Sequence, residues 1–282
     1  MSIKLIQERL NSYNCKSEQE EEHAIREITQ EVALAALSRT DFFKYGVFQG
    51  GTCLRIFYGL NRFSEDLDFI LKEPNRNFKL QPHLQSLSEE LGAYGYNVDI
   101  TDRSKTDITV KKAFIKDDSI GKVLQLNHAG KKGPFRKIRI KLEIDTNPPV
   151  GSETEIKYLD FPFVSSVTVQ NKSSLFAGKV HALLCREYIK GRDWYDFLWY
   201  TSQGIKINYQ FLASALRQQG PWNDQDIDVN LDWCMANLAK AIKSLDWKTT
   251  TEDVRRFVRV AEQPSLNLWN KELFLAQLEK LK

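Results

Sequence analysis

Residues 45 to 71 read Tyr45-Gly46-Val47-Phe48-Gln49-Gly50-Gly51-Thr52, then an apolar-rich run from Cys53 to Asn61, then Arg62-Phe63-Ser64-Glu65-Asp66-Leu67-Asp68-Phe69-Ile70-Leu71. The pattern predicts a strand, a glycine turn, a helix, a short loop and a second strand that opens on two carboxylates. Asp66 and Asp68 are two residues apart, a spacing that places both side chains on one face of a strand and turns Leu67, Phe69 and Leu71 into a core. Two carboxylates aimed together repel unless a cation joins them, and hard oxygen donors suit Mg²⁺ or Mn²⁺. Gly50-Gly51-Thr52 supplies the complementary half. Its glycines admit a close ligand, and the following helix offers unpaired N–H groups to an anion. Metal-binding carboxylates beside a phosphate cradle are the equipment of nucleotidyl or phosphoryl transfer.

Outward from this unit, Ile138 to Asp145 alternates, with Arg139, Lys141, Glu143 and Asp145 on one face and Ile138, Ile140, Leu142 and Ile144 on the other. Lys131, Lys132, Arg136, Lys137, Arg139 and Lys141 form a basic strip suited to an RNA backbone or a triphosphate, or to a solvated strand face. Further on, Lys179-Val180-His181-Ala182-Leu183-Leu184-Cys185-Arg186 reads as a helix. It carries Lys179 and Arg186 on one side and Phe176, Val180, Leu183 and Leu184 on the other. Lys190-Gly191-Arg192-Asp193-Trp194-Tyr195-Asp196-Phe197 follows. Gly191 is expected to stop that helix, with Asp193 and Asp196 then at an N-cap and a third helical position, so capping alone would account for both.

The first block resembles the opening motif of the polymerase-beta-like nucleotidyltransferase superfamily. With Arg62, Ser64 and Asp66-Leu67-Asp68-Phe69, and with the lysine-bearing helix followed by Arg-Asp-x-x-Asp, the chain is similar over roughly residues 30 to 200 to the AbiEii/AbiGii toxin family. That family includes the MenT toxins of type IV toxin–antitoxin and phage-defence systems. The resemblance implies an NTP-dependent nucleotidyltransferase that uses a two-metal in-line transfer to RNA. In some members the acceptor is the 3′ end of tRNA and translation stops. It implies Asp66 and Asp68 as metal ligands, with a third carboxylate from a neighbouring strand, for which Glu143 and Asp145 are both candidates. It also implies Gly50, Gly51, Thr52, Arg62 and Ser64 at the nucleotide, Lys179 at the triphosphate, and Asp196, with Asp193 second, as further catalytic residues. A separately encoded antitoxin is the implied partner, with the loop serine a point of its control. The rival expectations are a nucleotide- or RNA-binding module of the same fold without the reaction, and a transferase whose acceptor is a small molecule or a protein.

At 282 residues, 42% hydrophobic and 27% charged, the chain is expected to fold into two lobes of ordinary size, and a net charge of +3 names no partner by itself. Cys15, Cys53, Cys185 and Cys234 are scattered, as are His23, His83, His128 and His181. That spacing argues against a zinc site or a disulfide frame and fits a reducing cytoplasm. No apolar run reaches the ~20 residues of a membrane helix, and no signal-peptide core opens the chain. Helices are expected at 17–39, where Ser17 and Glu20 make a capping-box start, and at 82–91. Strands are expected near 96–101, 107–115, 122–127 and 135–145, with one or two more between 156 and 169. After about residue 172 the pattern is helical, and all six tryptophans lie there, which predicts a second core filled by large aromatics. The expected architecture is α/β (α+β): a polymerase-beta-like nucleotidyltransferase lobe on a mixed sheet with N-terminal helices (1–170), and a helical lobe (171–282) carrying the lysine helix, with the site in the cleft.

Overall fold

The computed structural model describes residues 2–104, 109–128 and 137–282. The backbone separates into two compact units. One comprises residues 1–59, 63–148 and 156–169; the other comprises 60–62, 149–155 and 170–282. Two short segments, 60–62 and 149–155, therefore group with the C-terminal residues rather than with their neighbours in sequence.

The first unit begins with α1 (Ser2–Ser12), α2 (Glu18–Ser38) and α3 (Phe42–Tyr45). Its central unit is β1 (Gly46–Gln49), α4 (Gly50–Tyr58) and β2 (Leu67–Leu71). It continues through α5 (Gln81–Ala93), β3 (Val98–Asp102), β4 (Val110–Asp117), α6 (Ile120–Val123) and β5 (Ile138–Asp145), and through β6 (Thr154–Leu159) and β7 (Ser165–Gln170) apart from their residues 154–155 and 170, which group with the second unit. Helix α2 starts where its cap demands. Ser17 accepts the Glu20 N–H at 3.2 Å, while the Glu20 carboxylate reaches back to the Lys16 N–H at 2.8 Å, one residue beyond the usual capping box. Its buried stripe of Ile25, Ile28, Val32 and Ala36 is the amphipathic repeat legible in the sequence.

The strands form a mixed seven-stranded sheet in the order β3-β4-β5-β2-β1-β7-β6. Strand β2 is antiparallel to β1, with Gln49 opposite Asp68, and parallel to β5, with Asp68 opposite Glu143 and Ile70 opposite Asp145. In β5 the isoleucines and Leu142 are buried, while Arg139 is exposed and Lys141, Glu143 and Asp145 are half-buried, as the alternation requires. The expected strand near 122–127 is absent. Asp117 accepts the N–H groups of Ser119 and Ile120 and starts α6, burying Ile120 and Leu124 at a helical i,i+4 spacing. The N–H groups of Asn127 and His128 are then held by the Glu21 carboxylate at 2.8 and 2.9 Å, so this segment binds α2 instead of a sheet edge. Lys131, Lys132 and Arg136 of the basic strip lie outside the described residues.

The second unit contains α7 (Lys172–Cys185), α8 (Gly191–Ser202), α9 (Tyr209–Gln218), α10 (Leu231–Ser244), α11 (Trp247–Arg255), a 3₁₀ segment over Val260–Leu268 and α12 (Lys271–Leu278). Its core is filled by large aromatics, as the sequence leads one to expect. Phe176, Phe197, Tyr200 and Phe274 are fully buried, whereas among the tryptophans only Trp194 and Trp269 are buried. Tyr200 stacks on Phe176 with centroids 4.3 Å apart, and Trp194 meets Phe274 edge-on at 5.8 Å. Among the described residues no helix is long and apolar enough to cross a membrane.

Candidate active site

In the sheet unit the proposed turn forms as a close backbone approach. Gly50 has φ +78°, a conformation that disfavours any side chain, and a Cβ built on it would lie 2.7 Å from Asp68 Oδ2. The register explains the contact: Gln49 pairs Asp68 across β1 and β2, so the residue that opens α4 falls against the carboxylate. Gln49 itself makes no side-chain hydrogen bond at the cap position of α4. Its first turn is instead tied to the carboxylate loop, because the buried Thr52 hydroxyl donates to the Asp66 carbonyl oxygen. Thr52 thus positions Asp66. Helix α4 ends in a left-handed Gly59 whose N–H returns to the Leu54 carbonyl. The loop is anchored by buried Phe63, stacked on His23 at 5.0 Å with the Arg55 guanidinium 4.7 Å over its ring. Ser64 is half-buried in this loop, and its carbonyl accepts from Gln30 at 3.4 Å.

The two candidates for a third carboxylate differ in their surroundings. Glu143 sits beside Asp68 in register but is bound by Lys141 at 2.6 Å and Lys112 at 3.1 Å. Burial works against its charge, yet those two lysines outweigh it and hold Glu143 below its ordinary range. Asp145 is pushed up by burial, partly offset by the Asn147 N–H at 2.9 Å. The balance of Glu143 by its own strand's lysine is therefore realised, while among the described residues Asp145 has a backbone donor, the Asn147 N–H, to favour its charge. Among the described residues no group of three or more acidic, histidine or cysteine side chains gathers to hold a metal ion. Asp66 and Asp68 nonetheless fit Mg²⁺, which commonly takes one or two protein carboxylates and completes its shell with water and phosphate oxygens. The Asp68 carboxylate lies directly against the Gly50 backbone, where no side chain could stand.

The helical unit holds the remaining predicted residues in a compact ionic cluster. Arg62, a residue of this unit, donates from Nε and an η-nitrogen to the two Asp196 oxygens at 2.6 Å each. Lys179 Nζ donates to Asp193 Oδ1 at 2.6 Å and lies 2.7 Å from Asp196 Oδ2. Arg186 Nε approaches the other Asp193 oxygen at 3.3 Å. All but Arg186 are close to fully buried, with side-chain exposures of 3% for Arg62, 0% for Asp196, 5% for Asp193 and 12% for Lys179. Burial alone would lower the Arg62 and Lys179 cations; the facing aspartates outweigh it and keep both above their ordinary values. Asp193 feels the reverse. Burial opposes its charge, but Lys179, Lys190 and Arg186 bring it down to about 2.

Gly191 does not stop α7. That helix ends at Cys185 with Arg186 as its cap, and Gly191 is instead the first residue of α8. It is glycine because α11 passes close by: a Cβ there would fall 2.0 Å from the Thr250 carbonyl oxygen, and the Gly191 N–H donates to Asp253 at 2.7 Å. Asp193 and Asp196 are accordingly inside the first turns of α8, and ion pairing rather than capping explains their positions. The Arg62–Asp196 partnership, across 134 residues, had no local signal in the sequence.

A family model described as "Nucleotidyl transferase AbiEii toxin, Type IV TA system" matches residues 32–269. No curated protein matches the chain. Among solved structures, a candidate nucleotidyltransferase from H. pylori aligns with TM-score 0.51 at 20% identity, covering 90% of this chain and 95% of that one. JHP933 from Helicobacter pylori aligns with TM-score 0.51 at 19% identity over 92% and 94%. At this identity the structural likeness concerns the fold.

Proposed function

We propose that this chain, which belongs to the AbiEii family of nucleotidyltransferase toxins of type IV toxin–antitoxin systems, transfers a nucleoside monophosphate from an NTP to RNA. The expected acceptor is a tRNA 3′ end and the expected outcome is arrest of translation. The observation that carries the reading is the contact of the Asp68 carboxylate with positive-φ Gly50, which sets hard oxygen donors beside the first turn of α4.

Asp66 and Asp68 would hold Mg²⁺ (or Mn²⁺). Such an ion, when bound, lowers the pKa of an acceptor hydroxyl and neutralises phosphate charge. The Gly50-Gly51 backbone gives the donor's phosphates room and N–H groups, and Thr52 keeps the Asp66 turn docked on α4. Asp145, free of lysine neutralisation, is the better third carboxylate electrostatically, and Glu143 the better by register. For Lys179 to meet a triphosphate, its ammonium must exchange an Asp193 or Asp196 oxygen for a phosphate oxygen. Arg62 acts by fixing Asp196. A cognate antitoxin is the proposed protein partner, with Ser64 in the loop before Asp66 as a point of control.

Incubation with each α-labelled NTP, Mg²⁺ and total cellular RNA tests the reading. Label entering an RNA species, and lost in Asp68→Asn, supports it. Binding of NTP with no transfer to any RNA would favour an occupancy-based module, and transfer to protein or small molecules alone would remove RNA.

A further inference from the structure

A cavity of about 470 Å³ in the helical unit is lined only by residues 182–245. Its floor is apolar, from Leu183, Leu184, Trp194, Ala241 and Leu245. Its rim carries two half-buried or exposed aromatic rings, Trp222 and Tyr188, and three cations, Arg186, Lys190 and Lys240. The facing acids are Asp193, already paired with Lys179 and approached by Arg186, and Glu187. Among the described residues neither the Lys190 nor the Lys240 ammonium has a hydrogen-bond or ion-pair partner within bonding distance. Lys190 is the more telling of the two. It is largely enclosed, and burial pulls it down to about 8 even with Asp193 nearby, a state that an incoming anion would relieve.

The walls are built rather than incidental. Gly220 has φ +113° and packs so tightly on the end of α7 that a Cβ would fall 2.6 Å from Cys185 Sγ. The adjoining Gln219 carbonyl accepts from His181 at 3.0 Å, and Trp222 is braced edge-on by Trp233 at 5.2 Å. On the opposite wall Asn237, Lys240, Ala241 and Ser244 share one face of α10.

We propose that this cavity binds a nucleoside phosphate, its base against Trp222 or Tyr188 and its phosphate on Lys190 and Lys240. Flat rings with sequence-tolerant stacking, beside cations that track a phosphate, are the combination used to hold nucleotides and single strands. Neither the Asp66–Asp68 pair nor the Gly50 turn contributes to it. It lies wholly within the helical unit and adjoins the Lys179 cluster through Asp193, which lines it. Its existence does not depend on the transferase reading.

Photo-crosslinking of the full chain tests it, with an azido-adenosine triphosphate in one arm and a short single-stranded RNA containing 4-thiouridine in the other. Label on peptides spanning residues 186–194 or 219–245 with the triphosphate supports a free nucleotide as occupant; label there with the RNA supports a strand. Titrations of the same probes should weaken about tenfold in Trp222→Ala, the loss expected for one stacked base. They should also weaken in Lys240→Gln, an exposed change that leaves the fold intact. Label confined to other peptides in both arms, with unchanged affinity in both variants, would overturn the proposal.

Discussion

Replacing Asp196 by Ala leaves Arg62 without its bidentate partner and Lys179 with one carboxylate instead of two. Both cations are nearly sealed from water, so solvent replaces little of what is lost. At an effective dielectric near 20, each unit pair at contact is worth on the order of 4 kcal/mol, and two are removed. Most of that gross attraction is already offset by the cost of taking the three charges out of water. The net cost expected for breaking a buried pair from one side is about 3–5 kcal/mol. At about 2–4 °C per kcal/mol, the unfolding temperature should fall by roughly 6–20 °C. Thermal and urea unfolding of purified protein measure this directly. Asp196→Asn, which keeps an acceptor but loses the charge, should fall between wild type and Ala. An Arg62→Met/Asp196→Leu double variant should recover much of the loss, because the orphaned guanidinium is removed with its partner. If Asp196→Ala unfolds within about 1 kcal/mol of wild type, the cluster is not what holds this unit. If such a stable variant has also lost activity, Asp196 belongs to the chemistry rather than to the scaffold.

Asp193 lies below its unfolded value of 3.8, at about 2. Its contribution is therefore fully present above pH ~4 and lost as pH falls toward ~2, about 2 kcal/mol in all. Urea midpoints taken down this range should drop in wild type, and the drop should be shallower in Asp193→Asn. Gly50→Ala forces a left-handed alanine against Asp68 Oδ2 and should cost about 1–2 kcal/mol. It should also lower NTP transfer far more than that stability loss explains; unchanged transfer would remove the close-approach argument.

The strand–helix–strand unit from Gly46 to Leu71 was legible because its information is local. The spacing from Gly50 to Asp68 specifies a short helix between two strands, and β1, α4 and β2 realise it. Helix α2 was legible for the same reason, its cap and apolar repeat lying within one stretch of chain. The errors arose where distant side chains decide. Residues 122–127 resemble a strand by composition, but Asp117 captures the N–H groups of Ser119 and Ile120 just before them, and Glu21 captures those of Asn127 and His128 at their end. Gly191 resembles a helix stop until Thr250 is seen against it. The pairing of Glu143 with Lys112, which neutralises one candidate metal ligand, depends on a register that only the assembled sheet supplies. The Arg62–Asp196 pair likewise forms by chain folding across 134 residues, which no local spacing announces.

The central claim is that Asp66 and Asp68 jointly hold a divalent ion at the Gly50 turn. Manganese binding followed by electron paramagnetic resonance, in the presence of a non-hydrolysable NTP, tests this without needing to know the acceptor. Wild type should bind Mn²⁺ with the nucleotide, and Asp66→Asn/Asp68→Asn should lose that binding while unfolding at nearly the same temperature. Equal Mn²⁺ binding by the folded double variant would contradict the account.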